Sequence, residues 1–175
     1  MEVKIKGIFL KNLVDLVNQK KGDPGIKELE KMVGDIHYSA IKDYSVETEI
    51  KLYHATEKII FGINNSETRE KIGMLTFEIY AHSFIGKTMF SLLGGDIKKA
   101  AYSLQKVLNT VTTGMEIRME DLGPNKVKVI MSNNPYEIEH YKGVYMGALE
   151  FFEKEGTVEA IESSPHNYEY LVSWK

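Results

Sequence analysis

The sequence predicts one α+β domain with a helical front half and a back half that carries an antiparallel sheet. Its 175 residues are close to the usual size of a single domain. Apolar residues recur at helical spacing up to about residue 110, and from Thr112 the pattern changes to the alternation of half-buried strands. Because no linker or repeat interrupts the chain, we predict a single domain over residues 1–175, with a helical half (1–110) and a sheet-bearing half (111–175).

Five helices are predicted in the front half, and turn or capping residues bound each of them. Pro24 suits the first turn of the second helix, and Ser45 and Asp96 are favourable N-cap residues. The fourth and longest helix should open at Ser66 and end at Gly94-Gly95. In chain order the predicted helices are residues 8–17, 26–33, 45–62, 66–93 and a segment that begins at Asp96.

The back half is predicted to be a β-β-α-β-β unit with a four-stranded antiparallel sheet. Met115, Ile117 and Met119 alternate with charged residues, which is typical of a strand with one buried face. A turn at residues 122–125 leads into a second strand. A helix between residues 135 and 155 follows, and then two strands at 157–162 and 168–174.

Composition excludes several classes of function. The net charge is −3 and no basic stripe is visible, so we expect no nucleic-acid partner. The absence of cysteine rules out disulfides, thiolate zinc sites, iron–sulfur clusters and cysteine nucleophiles. No apolar run reaches the roughly 18 residues of a membrane span, and the charged first residues do not form a secretory signal. We therefore expect a cytoplasmic protein.

Four stretches, in this order and spacing, resemble one superfamily: residues 3–9, 84–87, 113–124 and 145–150. That superfamily contains heme-nitric oxide/oxygen sensors, 4-vinyl-reductase domains and vesicle-tethering subunits, and within it a family of paralogues abundant in myxobacteria is the most similar. The resemblance implies the helices-then-ββαββ fold, and a hydrophobic or macrocyclic ligand between the helical and sheet layers. It also implies a homodimer and a signalling partner protein as candidate assemblies.

The residues that hold heme in the sensors are changed here. The position of their proximal histidine falls on Lys99 or Ser103, and neither is a conventional neutral axial ligand. Their Tyr-x-Ser-x-Arg propionate motif aligns with residues 130–134 and keeps only Ser132. The resemblance therefore leaves heme or another tetrapyrrole open as a cofactor, with a non-standard ligand such as His82. We predict no metal site formed by protein side chains alone.

A set of aromatic and apolar residues on three helices predicts a ligand pocket, although the same residues would also suit a dry core. The candidates are Tyr80, His82, Phe84, Met89, Tyr102, Tyr145 and Leu149. Three glycines within helices, Gly86, Gly143 and Gly147, predict close packing, by a crossing helix at Gly86 and by the sheet at the other two.

Other motifs carry little chemistry. The segment 81–88 fits a relaxed phosphate-loop pattern, but it lies in a helix and lacks the first glycine. The pairs His54/Glu57 and Glu137/His140 have metal-ligand spacing, yet solvated surface neighbours explain them better. No acid–base pair or nucleophile can be assigned, so an enzyme is the least favoured class. The leading hypothesis is a non-catalytic sensor module that binds a hydrophobic small molecule; a tetrapyrrole-based gas sensor and a structural interaction subunit are the alternatives.

Overall fold

The α+β class predicted from the sequence is confirmed, with a helical N-terminal half and a four-stranded antiparallel sheet. The computed structural model describes residues 2–91 and 96–175, without the side chains of Phe84, Ile85 and Met89. The predicted helix stop at Gly94-Gly95 lies outside the described residues. The division into one domain stays a prediction.

Six helices are formed by the described residues. They are α1 (Gly7–Val33), α2 (Val46–Phe61), α3 (Ser66–His82), α4 (Phe84–Ser91), α5 (Ile97–Val111) and α6 (Ile138–Phe151). The first two predicted helices form one element with a kink at Gly22, whose φ of 60° combined with a ψ of −157° is favourable only for glycine. Ser45 caps α2 by accepting the N–H of Glu47 at 3.2 Å, and Asp96 caps α5 as predicted.

The prediction of one long fourth helix is wrong in one respect, because the structure has two helices there. The backbone is extended at Ser83, where α3 ends and the direction changes into α4. The Ser83 hydroxyl donates to the Tyr80 carbonyl at 2.6 Å and accepts the N–H of Gly86 at 3.1 Å. One serine therefore caps the end of α3 and the start of α4, a break that apolar periodicity alone does not reveal.

A small sheet joins the beginning of the chain to the end of the helical half. The strands β1 (Lys4–Lys6), β2 (Asp43–Ser45) and β3 (Thr112–Thr113) are ordered β2-β1-β3. Strands of two or three residues are too short to show alternation, so the sequence analysis missed them. Because β1 leads into α1 and β3 follows α5, this sheet holds the N-terminal end of α1 close to the C-terminal end of α5.

The larger sheet contains β4 (Glu116–Asp121), β5 (Lys126–Ser132), β6 (Gly156–Ser164) and β7 (Asn167–Trp174). All its pairs are antiparallel, in the order β4-β5-β7-β6. Alternate residues of β5 and β7 are buried, and they pack against α3, α5 and α6 in one hydrophobic core. A second core lies among α1, α2 and α3.

Glycines bring α3 and α6 into backbone contact. A Cβ on Gly143 would overlap the carbonyl oxygen of Glu70, and one on Gly73 would overlap the carbonyl oxygen of His140. At Gly147 the corresponding distance to the Met74 carbonyl oxygen is 2.9 Å. The close packing predicted at Gly143 and Gly147 is present, but α3 makes it rather than the sheet, because α6 lies between the two.

Gly86 allows a similar approach within the α3–α4 corner. A Cβ there would overlap the carbonyl oxygen of Tyr80 and lie 2.9 Å from the Cα of Ala81. The close approach at this glycine is therefore present, but the prediction of a crossing by a second long helix is wrong, because the neighbour is the end of α3 just before it in the chain.

Candidate functional site

The space between the helical and sheet layers is filled by side chains. The cavity that remains there is about 30 Å³, room for one or two water molecules and far below the roughly 300 Å³ at which ligand pockets begin. Its walls come from α3, α4, α5, α6 and the larger sheet, and they include Phe77, Phe90, Phe152 and Trp174. A planar macrocycle would have to displace several of these rings.

The described walls of this interlayer cavity offer no axial ligand for heme iron. Among the lining residues only Tyr145 and Trp174 carry polar side-chain atoms. The Tyr145 hydroxyl lies 3.9 Å from the Met131 sulfur, and burial raises the pKa of Tyr145 well above its usual range. A neutral phenol is a poor substitute for the phenolate or imidazole that binds heme iron. The residues described here therefore do not fit heme.

The other positions considered for heme lie away from this cavity. Lys99 is on the surface and forms an ion pair with Asp96 at 3.2 Å, while Ser103 is half-buried and does not line the cavity. The ring of His82 is exposed, and its Nδ1 donates to the Glu78 carbonyl at 2.9 Å. Ser132 is the last residue of β5 and does not line the cavity either.

A larger apolar space, the α1–α5 groove, lies between the start of α1, the end of α3 and the end of α5. Its volume is about 480 Å³, which is within the range of small-molecule sites. The residues that line it are Ile8, Phe9, Asn12, Tyr80, Ser83, Lys106, Val107, Thr110 and Val111. The short β1–β3 pairing determines how far apart α1 and α5 lie at this end of the molecule.

Two polar side chains distinguish the α1–α5 groove. Asn12 is only 8% exposed, and its amide makes no hydrogen bond within the described part of the chain. The amide atoms are accessible from the groove, so water or a ligand can be their hydrogen-bond partner. Lys106 is the only charged residue among the described lining residues, and no carboxylate of the described chain lies within ion-pair distance of it.

A second groove, the α3–α6 groove, is larger but has a different character. Its volume is about 590 Å³, and an apolar floor that includes Met74, Leu75 and Phe151 has charged residues of both signs around it. Those charged side chains, among them Lys20 and Glu150, are exposed to water. Because these charges are of both signs, the α3–α6 groove favours neither an anion nor a cation.

The predicted pocket residues are not gathered around one cavity. Tyr80 lines the α1–α5 groove, His82 lines the α3–α6 groove and Tyr145 lines the interlayer cavity. Leu149 is buried against Gly156 at the start of β6, and Tyr102 is half-buried on α5 outside these spaces. The side chains of Phe84 and Met89 lie outside the described residues. A role for any of these residues in ligand binding stays a prediction.

A buried polar cluster, which the sequence analysis did not find, joins α2 to the start of α6. The Tyr136 hydroxyl donates to the carboxyl of Glu49, 87 residues earlier in the chain. Burial raises the pKa of Glu49 to about 7 and lowers that of His140 to about 4, so both groups favour their neutral forms. The His140 ring stacks on Tyr136 at 4.8 Å, and its Nδ1 has no hydrogen-bond partner within the described chain.

The interpretation of His54/Glu57 and Glu137/His140 as solvated surface pairs was wrong for two of the four residues. Glu57 is fully buried and His140 is 5% exposed. His54 lies between two carboxylates, 3.4 Å from Glu57 and 3.0 Å from Glu137. Glu137 comes from a part of the chain distant from His54, so sequence spacing could not reveal this contact. Within the described residues, no group of three or more histidines and carboxylates has the arrangement of a metal site.

The chain matches a known protein family. Residues 1–175, the whole chain, match the model of the family described as "Protein of unknown function (DUF2378)". The chain belongs to this family. No curated protein matches the DUF2378 chain. Its placement among the myxobacterial paralogues stays a prediction.

Solved structures of H-NOX proteins share the fold of this DUF2378 chain. A variant of Tt H-NOX with one leucine substitution is 15% identical with a TM-score of 0.71, over 98% of this chain and 95% of that one. A mutant of T. tengcongensis H-NOX is 16% identical with a TM-score of 0.70, over 98% of each chain. The Fe(II) unliganded H-NOX protein from K. algicida is 14% identical with a TM-score of 0.67, over 98% and 97%. The expected fold is thus confirmed, and at these identities the likeness concerns the fold alone.

Among the described residues, no helix is both long enough and apolar enough to cross a membrane.

Proposed function

We propose that this chain is a non-catalytic module that binds a colourless apolar small molecule in the α1–α5 groove. The observation that carries the proposal is the combination of about 480 Å³ of apolar space with a nearly buried amide at its wall that has no partner in the described chain. Ligand sites are mostly apolar and contain a few polar groups that fix orientation, and this groove has that composition. Neither the interlayer cavity nor the α3–α6 groove combines a large apolar space with such an amide.

A route for signal output follows from the elements that form the groove. Val107 and Val111 lie on α5, which continues into β3, and β3 pairs with β1 at the start of α1. A ligand between α1 and α5 would favour one spacing of these two helices over others. A change in that spacing would reach the larger sheet through Asn109 on α5, which bonds the backbone of Ile117 in β4 through both ends of its amide. A partner protein that contacts this sheet would sense the ligand.

The test is a titration with Nile red, a neutral apolar dye that fluoresces when it leaves water. We expect saturable binding of one dye per chain, lost in Val107→Asp, because a carboxylate in the apolar wall opposes desolvation. Phe61→Asp in the α3–α6 groove and Ile161→Asp on exposed β6 are the matched controls, and both should keep the binding. Thermal unfolding of each variant verifies its fold, and Val111→Asp replaces Val107→Asp if the latter unfolds.

The absence of saturable dye binding would overturn the proposal, and so would three further results. Dye binding that survives both Val107→Asp and Val111→Asp, or that Phe61→Asp removes, would put the ligand elsewhere. A dimer of the wild-type chain that Val107→Asp converts into a monomer would make the groove a protein interface, as expected of an interaction subunit.

Hemin distinguishes the proposed module from a tetrapyrrole sensor. One of the similar structures concerns heme distortion in the H-NOX family, so heme is the ligand that the fold itself suggests. We expect no sharp stoichiometric absorption band when hemin is added to this chain, since the described interlayer cavity has neither the space nor a ligand for it. A stoichiometric band that His82→Ala removes would favour the tetrapyrrole sensor instead.

A further inference from the structure

The described lining of the α1–α5 groove has one charged side chain, which has no ion-pair partner in the described part of the chain. Lys106 lies on α5 at its edge, while two other lysines of α5 are neutralised: Lys98 by Asp121 at 2.6 Å and Lys99 by Asp96 at 3.2 Å. No acidic side chain is among the described lining residues. A groove with apolar walls and one unopposed cation is complementary to an apolar molecule that carries one negative charge.

Asn12 provides hydrogen-bonding groups for a ligand in this groove. Its amide has two donors and an acceptor, and it borders the groove while the rest of the residue is enclosed by the α1 core. A pure hydrocarbon would leave this amide unsatisfied, whereas an oxygen-bearing ligand would provide the partner that the described protein groups do not. The groove therefore favours an amphiphile over a fully apolar ligand.

The charge around Asn12 also indicates how the ligand is oriented. On the side of Asn12 away from α5, the groove continues into a polar channel between α1 and α3 that contains Asp15 and Glu78. The channel also contains Lys20, but its two exposed carboxylates outnumber that lysine, so its net charge is unfavourable to an anion. The anionic group of a ligand is therefore best accommodated on the α5 side, where Lys106 lies.

We infer that the ligand class of this groove is an apolar monocarboxylate, paired with Lys106 and hydrogen-bonded to Asn12. The inference rests on the proposed function and specifies its ligand. A single ammonium group pairs with a single carboxylate, whereas a phosphate monoester, with up to two charges, usually requires several cationic or backbone donors. The described lining residues provide one cation and no arginine.

The experiment is displacement of Nile red by two probes of the same shape, decanoate and its neutral isostere decanamide. We expect decanoate to bind about tenfold more tightly than decanamide at low salt, and the difference to shrink in about 0.5 M NaCl. Lys106→Met keeps the length of the side chain and removes its charge, so the two probes should then bind equally. Lys99→Met, also on α5, is the matched control and should keep the preference, as should Lys106→Arg.

The failure of this inference is distinguishable from the failure of the proposed function. If Nile red does not bind, the proposed function is wrong and the inference falls with it. If Nile red binds but decanoate and decanamide displace it equally, or the preference for decanoate persists in Lys106→Met, only the inference is overturned. Loss of the preference in Lys99→Met would equally contradict it, because the charge that matters would then lie elsewhere.

Discussion

The two packing environments of α3 differ in kind. In its middle, Gly73 allows the backbone of α6 to approach directly, and Gly143 and Gly147 on α6 do the same for α3. At its end, Tyr80 and Ser83 face a groove that neither α1 nor α5 closes. Backbone contact leaves no space and permits little adjustment, whereas a gap between side chains can accept another molecule. Helix α3 therefore has a closely packed face along α6 and an open face beside α1 and α5.

The largest expected effect is on the closely packed face. Gly143→Ala would place a methyl group onto the carbonyl oxygen of Glu70, so α3 and α6 must separate. We expect a loss of about 3 kcal/mol or more in the free energy of unfolding, despite the roughly 1 kcal/mol that alanine gains in helix propensity. Gly147→Ala, at 2.9 Å from the Met74 carbonyl oxygen, should cost clearly less.

Chemical denaturation of both variants measures the two losses in free energy of unfolding and shows which is larger. Equal, small costs for the two substitutions would mean that the α3–α6 crossing adjusts easily, and the contrast with the groove would then disappear.

A second effect concerns the pH dependence of the α2–α6 junction. Because burial raises the pKa of Glu49 from 4.5 to about 7, its contribution to stability is complete below pH 4.5 and is lost as pH rises to 7. The buried His140 works in the opposite direction: its pKa falls from 6.5 to about 4, so its contribution is complete above pH 6.5 and is lost as pH falls to 4. Between pH 4.5 and 6.5, the two groups therefore change the free energy of unfolding in opposite directions as the pH rises.

The substitution Glu49→Gln removes the pH dependence that comes from Glu49 and leaves that of His140. Glutamine keeps an acceptor for the Tyr136 hydroxyl but cannot ionise, so we expect the variant to be more stable than the wild type at about pH 8, by about 3 kcal/mol. This advantage should disappear at pH 4.5, as measured by urea unfolding across the range. His54 and Glu137, whose pKa values are also shifted, remain in both proteins, and the difference between the proteins therefore isolates Glu49. An advantage that does not vary with pH would show that Glu49 is ionised in the folded protein.

The smallest effect belongs to the groove. Asn12→Leu replaces a nearly buried amide, whose polar atoms are accessible from the groove, with a side chain of similar size, so it should change the free energy of unfolding by less than about 1 kcal/mol. The same change should weaken decanoate and decanamide alike, since both probes lose a hydrogen bond. Thermal unfolding and Nile red displacement report these two changes. A destabilised variant would mean that Asn12 serves the fold rather than a ligand.

Much of the fold could be predicted because the information is local. The alternation at Met115, Ile117 and Met119 and the caps at Ser45 and Asp96 depend on neighbouring residues, and each corresponds to an element of the structure. The break at Ser83 could not be predicted, because apolar residues continue through it and only the serine hydroxyl ends α3 there.

The candidate site was much less predictable, since it is built from residues distant in sequence. Asn12, Tyr80 and Lys106 meet only when β1 pairs with β3, and those strands are too short to leave a periodic signal. Tyr80 was predicted from its aromatic surroundings, but nothing in the sequence around Asn12 indicates that its amide lacks a partner among the described residues. The contact between Glu49 and Tyr136 could not be predicted either, because the two residues are 87 positions apart in the sequence.

The most direct test of the account is to locate the ligand by the methyl NMR signals of valines labelled with ¹³C, as decanoate is added. Val107 and Val111 line the α1–α5 groove, while Val129 and Val172 line the interlayer cavity. We expect saturable shifts at Val107 and Val111 with little change at Val129 and Val172. Shifts confined to Val129 and Val172 would contradict the account and place the ligand between the helical and sheet layers.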